Sequence, residues 1–301
     1  MSDIRQVFAV VSFNFRSWNR NPRIIMTFVL AFVLCMLLTD QAIGFANQFG
    51  TTMQIMEAFV WTFGDANSII ISSLLLILLF ADMPFFNGFT PYYLARTSRG
   101  VWLWGQIVYI LSATALYIVF ILAVTAAVSA HISFPGNMWS ETGAILAFSG
   151  VGADVMLPAS LKTMIMSYPF QCAGHVFLLM LLYTMFLVSF MLMLNIRLKQ
   201  FWGIVGAFLM SIYGLLLNPD LFMRIFRLPE AVAYKANVAV GWLSPLNHAT
   251  YYMHNFGYDY LPRLWMSYAI FAGLILLCLW SSRVGMKRYH FAFVGTVGTG
   301  N

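Results

Sequence analysis

Residues 82–100, DMPFFNGFTPYYLARTSRG, separate two long apolar runs, Ser68–Ala81 (SIIISSLLLILLFA) and Val101–Ala130 (VWLWGQIVYILSATALYIVFILAVTAAVSA). Pro84, Gly88 and Pro91 rule out one continuous helix through this stretch. Arg96 and Arg99 place its end in water or among lipid headgroups, because a cation at the bilayer centre costs roughly 3 kcal/mol or more. The stretch is short, aromatic at its start and basic at its end. It is a connector between spans, or a handle for a partner.

Working outward, the flanking runs set the class. The chain is 61% hydrophobic and 9% charged, against about 25% charged in an ordinary soluble domain. Its mean hydropathy is +0.81. Several separate runs reach the ~17–25 apolar residues that a bilayer-crossing helix requires. The expectation is an all-α polytopic membrane protein forming a single transmembrane domain over residues 1–301. Aromatic residues make up 17% of the chain, which suits belts at the two interfaces. The net charge of +6 comes from basic residues scattered between apolar segments, so membrane orientation accounts for it and nucleic acid does not. Cys35 and Cys278 lie within apolar runs and read as small hydrophobes. No secretory signal is evident.

Residues 1–23 form an amphipathic lead. Ile4, Val7, Phe8, Val11, Phe15 and Trp18 fall on one helical stripe, with Arg5, Ser12 and Arg16 to one side of it and Asp3 and Asn14 to the other. A basic helix of this kind lies in the plane of the membrane surface; packing on neighbouring protein is the plainer alternative. Asn21-Pro22-Arg23 then turns the chain. Within 24–282, six spans are expected: Ile24–Thr39 (short, so extended past Asp40 or tilted), Ala66–Ala81, Val101–Ala130, Gln171–Ile196, Gln200–Leu217 and Leu264–Ser282. Gln41–Asp65 reads as a polar, Gly-containing connector with a weak helical run from Met53 to Phe63. Residues 131–170 and 218–263 are too apolar for solvated loops and too broken for spans; short interfacial or re-entrant helices fit them. Residues 283–301 form a basic tail, and Gly295–Asn301 reads as a disordered end.

Six spans put both termini on one side. That side would hold 11 of the 16 basic residues, and the other side eight of the ten acids. The positive-inside rule then places both termini and Asp82–Gly100 in the cytoplasm, with the protein in the plasma membrane.

Chemistry is hard to find. There is no G-x-x-x-x-G-K-[ST] phosphate loop. No two histidines stand at helical spacing from one another. His248 and His254 share a connector with Asp259, where polar interface residues outweigh a zinc site. His175 reads as a hydrogen-bonded structural residue. The cores of the spans hold no Asp, Glu, Lys or Arg, which argues against intramembrane catalysis and ion-coupled transport. Catalytic, cofactor and metal residues are therefore not assigned. Ser72, Ser73, Ser112, Thr114, Thr125, Tyr183, Thr184, Ser189, Ser211 and Tyr213 either bond between helices or line a pathway.

The layout resembles the permease subunit of type-2 ATP-binding-cassette exporters. Four features carry the likeness: the amphipathic lead Ile4–Trp18, the stretch ending in YYLARTSRGVWLWGQIVY (Tyr92–Tyr109) with its Gly-Gln pair, six spans with both ends inside, and the broken connector with Leu243-Ser244-Pro245-Leu246 before the last span. The resemblance implies that two permeases pair, alike or different, and that separate cytoplasmic ATPase subunits, holding ATP and Mg, dock beneath. It assigns the coupling contact to Phe85, Phe86, Pro91, Tyr92, Tyr93, Arg96 and Arg99, and a secondary contact to the amphipathic helix. Two other classes stay open: a membrane anchor or sensor that recruits an ATPase without passing substrate, and an independent channel or carrier.

Overall fold

The computed structural model describes residues 3–84, 97–149, 159–198, 200–227, 229–257 and 259–288. The chain is an all-α membrane protein. Helix α1 covers Asp3–Arg16 and α2 Pro22–Phe49. The short α3, Glu57–Phe63, precedes α4, Ala66–Leu79. Next come α5, Arg99–Ser129, and two short helices, α6, Glu141–Phe148, and α7, Leu161–Met166. They are followed by α8, Pro169–Arg197, and α9, Gln200–Leu216. The last connector holds α10, Pro219–Phe226, α11, Ala233–Leu243, and α12, Pro245–Ala249, and α13, Leu264–Met286, ends the fold.

Four of these, α2, α5, α8 and α13, are individually long and apolar enough to cross a bilayer. Two bent pairs, α3 with α4 at 85° and α9 with α10 at 83°, bring the number to as many as six. The bends sit where the sequence makes them. Asp65 caps α4 by accepting from the Asn67 N–H, and Asn218 caps α10 with Pro219 at its first position. Asn21 caps α2 in the same way, again ahead of a proline. Each of these side chains satisfies one of the N–H groups that a helix start leaves without a partner.

Helix α2 runs ten residues beyond Thr39 to Phe49, where Gly50, at φ 63°, closes it with bonds to Ala46 O and Asn47 O. Residues 41–49 are therefore helix, not connector. Ala42, Phe45 and Ala46 keep the helical period and pack on Met53, Ala58 and Leu146. Two paired dipeptides, β1 (Met53–Gln54) and β2 (Ser133–Phe134), are the extended pairing among the described residues. They tie two connectors together at the same end.

Contacts sort the helix ends. The Arg23–Asp82 ion pair joins the start of α2 to the segment after α4. Arg99 at the start of α5 donates to Lys287 O after α13, and Arg197 at the end of α8 donates to Ser281 O, both at 3.4 Å. One end of the bundle thus gathers Arg23, Arg99, Arg197 and Lys287. We call it the basic end. At the opposite end Thr51 and Thr142 hydroxyls meet at 2.7 Å, and Lys162 pairs with Asp259 at 2.5 Å.

Most span hydroxyls bond to carbonyls of their own helices: Ser72 to Ile69, Ser73 to Ile70, Thr125 to Ile121, Thr184 to Met180 and Ser211 to Ala207. This is how a polar side chain is tolerated in an apolar surrounding. Tyr117, fully buried, reaches across and donates to Ser72 O at 2.9 Å.

Candidate functional site at the basic end

The site is built around the two ends of the stretch at 82–100. Its first end is held by Asn195, near the C-terminus of α8. The Asn195 amide N–H donates to Met83 O at 2.6 Å, and its Oδ1 accepts from the Gly203 N–H of α9 at 2.8 Å. One buried side chain therefore joins α8, α9 and the residue that follows α4. Glycine is required at 203 by this approach: a Cβ there would lie 2.0 Å from Asn195 Oδ1. Asp82 adds its ion pair with Arg23 at a half-exposed position, where such a pair contributes at most about 1 kcal/mol.

The other end leads into α5, capped by Ser98, whose Oγ accepts from the Val101 N–H. Helix α1 is laid against the first turns of α5. Val10 enters the gap left by Gly105; a Cβ on Gly105 would sit 2.7 Å from Val10 Cβ. Asn14 donates to Gln106 at 3.3 Å with both residues buried. The Trp18 indole N–H donates to the Tyr109 hydroxyl at 2.8 Å, and Phe15 meets the Tyr109 ring edge-on. The Gly-Gln pair at 105–106 is thus the seat of the amphipathic helix.

The expected stripe of α1 divides accordingly. Val11 is buried and Phe15 and Trp18 are half-buried against α5, whereas Ile4 and Phe8 point outward, 69% and 61% exposed. Val7 lies between. The buried face is centred on Val10, Val11 and Asn14, so it is rotated toward a residue assigned to the polar side. The rotation follows from Gln106, which gives Asn14 a buried partner. One flank of α1 packs on protein, as the plainer alternative expects, and Ile4 and Phe8 stay exposed. Beside it, Trp18, Ile25, Phe28, Phe32 and Phe120 line an open apolar groove of about 410 Å³.

Of the residues assigned to ATPase contact, Phe85, Phe86, Pro91, Tyr92, Tyr93 and Arg96 lie outside the described residues. Arg99 is exposed at the basic end and bonded to Lys287 O. Asn195, Gly203, Asn14 and Gln106 were not among the candidates. Asn195 carried a usable signal: a lone carboxamide near the end of an apolar run is costly to bury unless it has partners.

The opposite end is also built with care. Glu57 is fully buried, and its carboxylate accepts from the Gln54 N–H (3.0 Å), the Ser140 N–H (2.7 Å) and the Ser140 hydroxyl (2.5 Å). Ser140 Oγ in turn caps α6 by accepting from the Gly143 N–H. His175 Nδ1 bonds the Tyr268 hydroxyl at 2.7 Å. His248 and His254 come together on Ser267, while Asp259 turns away to Lys162. Among the described residues no group of three or more His, Cys, Asp or Glu side chains is arranged to hold a metal ion. Compared with models of known families, with curated proteins and with solved structures, the chain matches none.

Proposed function

We propose that the chain is the permease subunit of an ATP-driven exporter of the ATP-binding-cassette type. It crosses the plasma membrane six times with both termini in the cytoplasm. Two permeases pair, and separate ATPase subunits dock at the basic end. The cargo is a peptide, a drug-like molecule or a lipid-like one.

The observation that carries this reading is the fixing of both ends of the stretch at 82–100. Asn195 ties one end to α8 and α9, and α1 braces the helix into which the other end runs. A segment that passes on a partner's movement needs fixings that do not yield, because packed helices shift as rigid bodies. The gathering of Arg23, Arg99, Arg197 and Lys287 at this end suits the cytoplasmic face. In the test, the tagged chain is expressed with a candidate ATPase and purified in mild detergent. Arg96→Ala and Arg99→Ala together are expected to lower the ATPase recovered and its stimulated turnover by about tenfold, the equivalent of one lost charge-assisted contact of ~1.4 kcal/mol. Unchanged docking with intact topology would exclude these arginines from the contact.

A second reading, an anchor that recruits an ATPase without passing substrate, is favoured by the span hydroxyls that bond inward to their own helices. Reconstituted transport separates the two.

A further inference from the structure

Three side chains at the end opposite the basic one hold one hydrogen too few. His254 Nδ1 lies 3.0 Å from Tyr251 O, and His248 Nε2 lies 3.1 Å from Trp242 O. A carbonyl oxygen only accepts, so each of these nitrogens carries a hydrogen. In a neutral imidazole the other nitrogen is then a bare lone pair. Those two lone pairs, His254 Nε2 and His248 Nδ1, face the same Ser267 hydroxyl at 2.8 and 2.7 Å. Ser267 has a single hydrogen and satisfies one of them. The other contact sets lone pair against lone pair. Turning either ring over would put carbon where each nitrogen now bonds and would forfeit both bonds of that ring. The three residues are 0–3% exposed, so water does not make up the deficit at the surface.

We propose that His248, Ser267 and His254 form a binding site for one proton. With the proton bound, one imidazolium donates to Ser267 Oγ, Ser267 donates to the other imidazole, and every polar atom of the chain of bonds has a partner. The proton comes from the aqueous phase at that end, and no bond between heavy atoms changes. A second proton is opposed, because both rings would then donate to one oxygen and two cations would be buried together. The bound proton fastens α12 and the turn at 251–253 to the first turn of α13.

The surroundings act against the proton and define the test. Burial pushes His254 down to about 4, and pushes His248 down as well. Lys162, held by Asp259, adds repulsion at His254. Among the described residues, Tyr251 and Tyr252, the His175–Tyr268 pair on α8 and α13, and Asp65 beyond Tyr252 are the further titratable groups near it. No carboxylate bonds either ring among the described residues. Proton uptake therefore depends on Ser267.

The experiment is an imidazole ¹⁵N NMR titration of the full chain in lipid nanodiscs, from about pH 8 to about pH 4, across the range of histidine. His248 and His254 are expected to move together with one midpoint and a total uptake of one proton. Ser267→Ala is expected to lower that midpoint by about one pH unit or more and to uncouple the rings. His254→Gln places an amide N–H where the proton would supply one; it is expected to abolish uptake at His248 over the same range. Both rings staying neutral to the acid limit, two independent midpoints, or a midpoint indifferent to Ser267→Ala would overturn the proposal. Should Ser267→Ala fail to fold, His254→Gln decides, and His248 titrating there as in the unaltered chain overturns it.

Discussion

Glu57→Ala is expected to remove at least about 3 kcal/mol of stability, since it strands three buried donors at roughly 1–3 kcal/mol each. The Gln54 N–H, the Ser140 N–H and the Ser140 hydroxyl all point at this one carboxylate. Because Ser140 also caps α6, the loss spreads to the connector over α3. Space around it is tight: a Cβ on Gly143 would lie 3.0 Å from Glu57 Oε1. Thermal unfolding of the purified protein in nanodiscs checks the expectation. Glu57→Gln keeps the shape and one acceptor, and its unfolding temperature is expected between those of the unaltered chain and Glu57→Ala. An unfolding temperature unmoved by Glu57→Ala would show that the clasp contributes nothing.

The second large effect is expected at Asn195 and Gly203, and its mark is non-additivity. Asn195→Ala leaves Met83 O and the Gly203 N–H without partners, a cost of about 2–6 kcal/mol by the same reckoning. Gly203→Ala drives a methyl group into Asn195, 2.0 Å from Oδ1 and 2.7 Å from Nδ2, so both bonds break and strain is added. In the double variant the methyl group meets no carboxamide. Gly203→Ala is therefore expected to be severe alone and mild in the Asn195→Ala background, a coupling well above the ~0.5 kcal/mol of independent sites. Unfolding temperatures of the four proteins measure it. Stimulated ATPase turnover in the same four proteins should follow the same pattern if this joint fixes the stretch at 82–100.

Membrane class, the long helices and the breaks between them were legible because they depend on local properties. Apolar runs of bilayer length and Asn-Pro caps are written in neighbouring residues. The end of α2 departs from the expected boundary at Thr39 for a local reason too. Asp40 and Gln41 look like a connector, yet Ala42, Phe45 and Ala46 continue the helical period beneath them. The site was less legible, because its partners are far apart in the chain. Asn195 bonds a carbonyl 112 residues away, and Asn14 an amide 92 residues away. No spacing rule links such pairs. The rotation of α1 followed from the same cause: its outward face could be read from periodicity, but the buried Asn14 needed Gln106 to explain it. His248 and His254 were singled out on one connector, but the residue that joins them, Ser267, belongs to the next helix.

The most direct measurement places the purified chain in proteoliposomes, alone and with its candidate ATPase, and follows solute movement and MgATP hydrolysis together. On the proposed reading, in which a separate ATPase supplies the drive, movement is expected only when the ATPase is present and only while ATP is hydrolysed, and is expected to fall with Asn195→Ala. Solute crossing by the chain alone at the same rate, with or without ATP, would contradict the account.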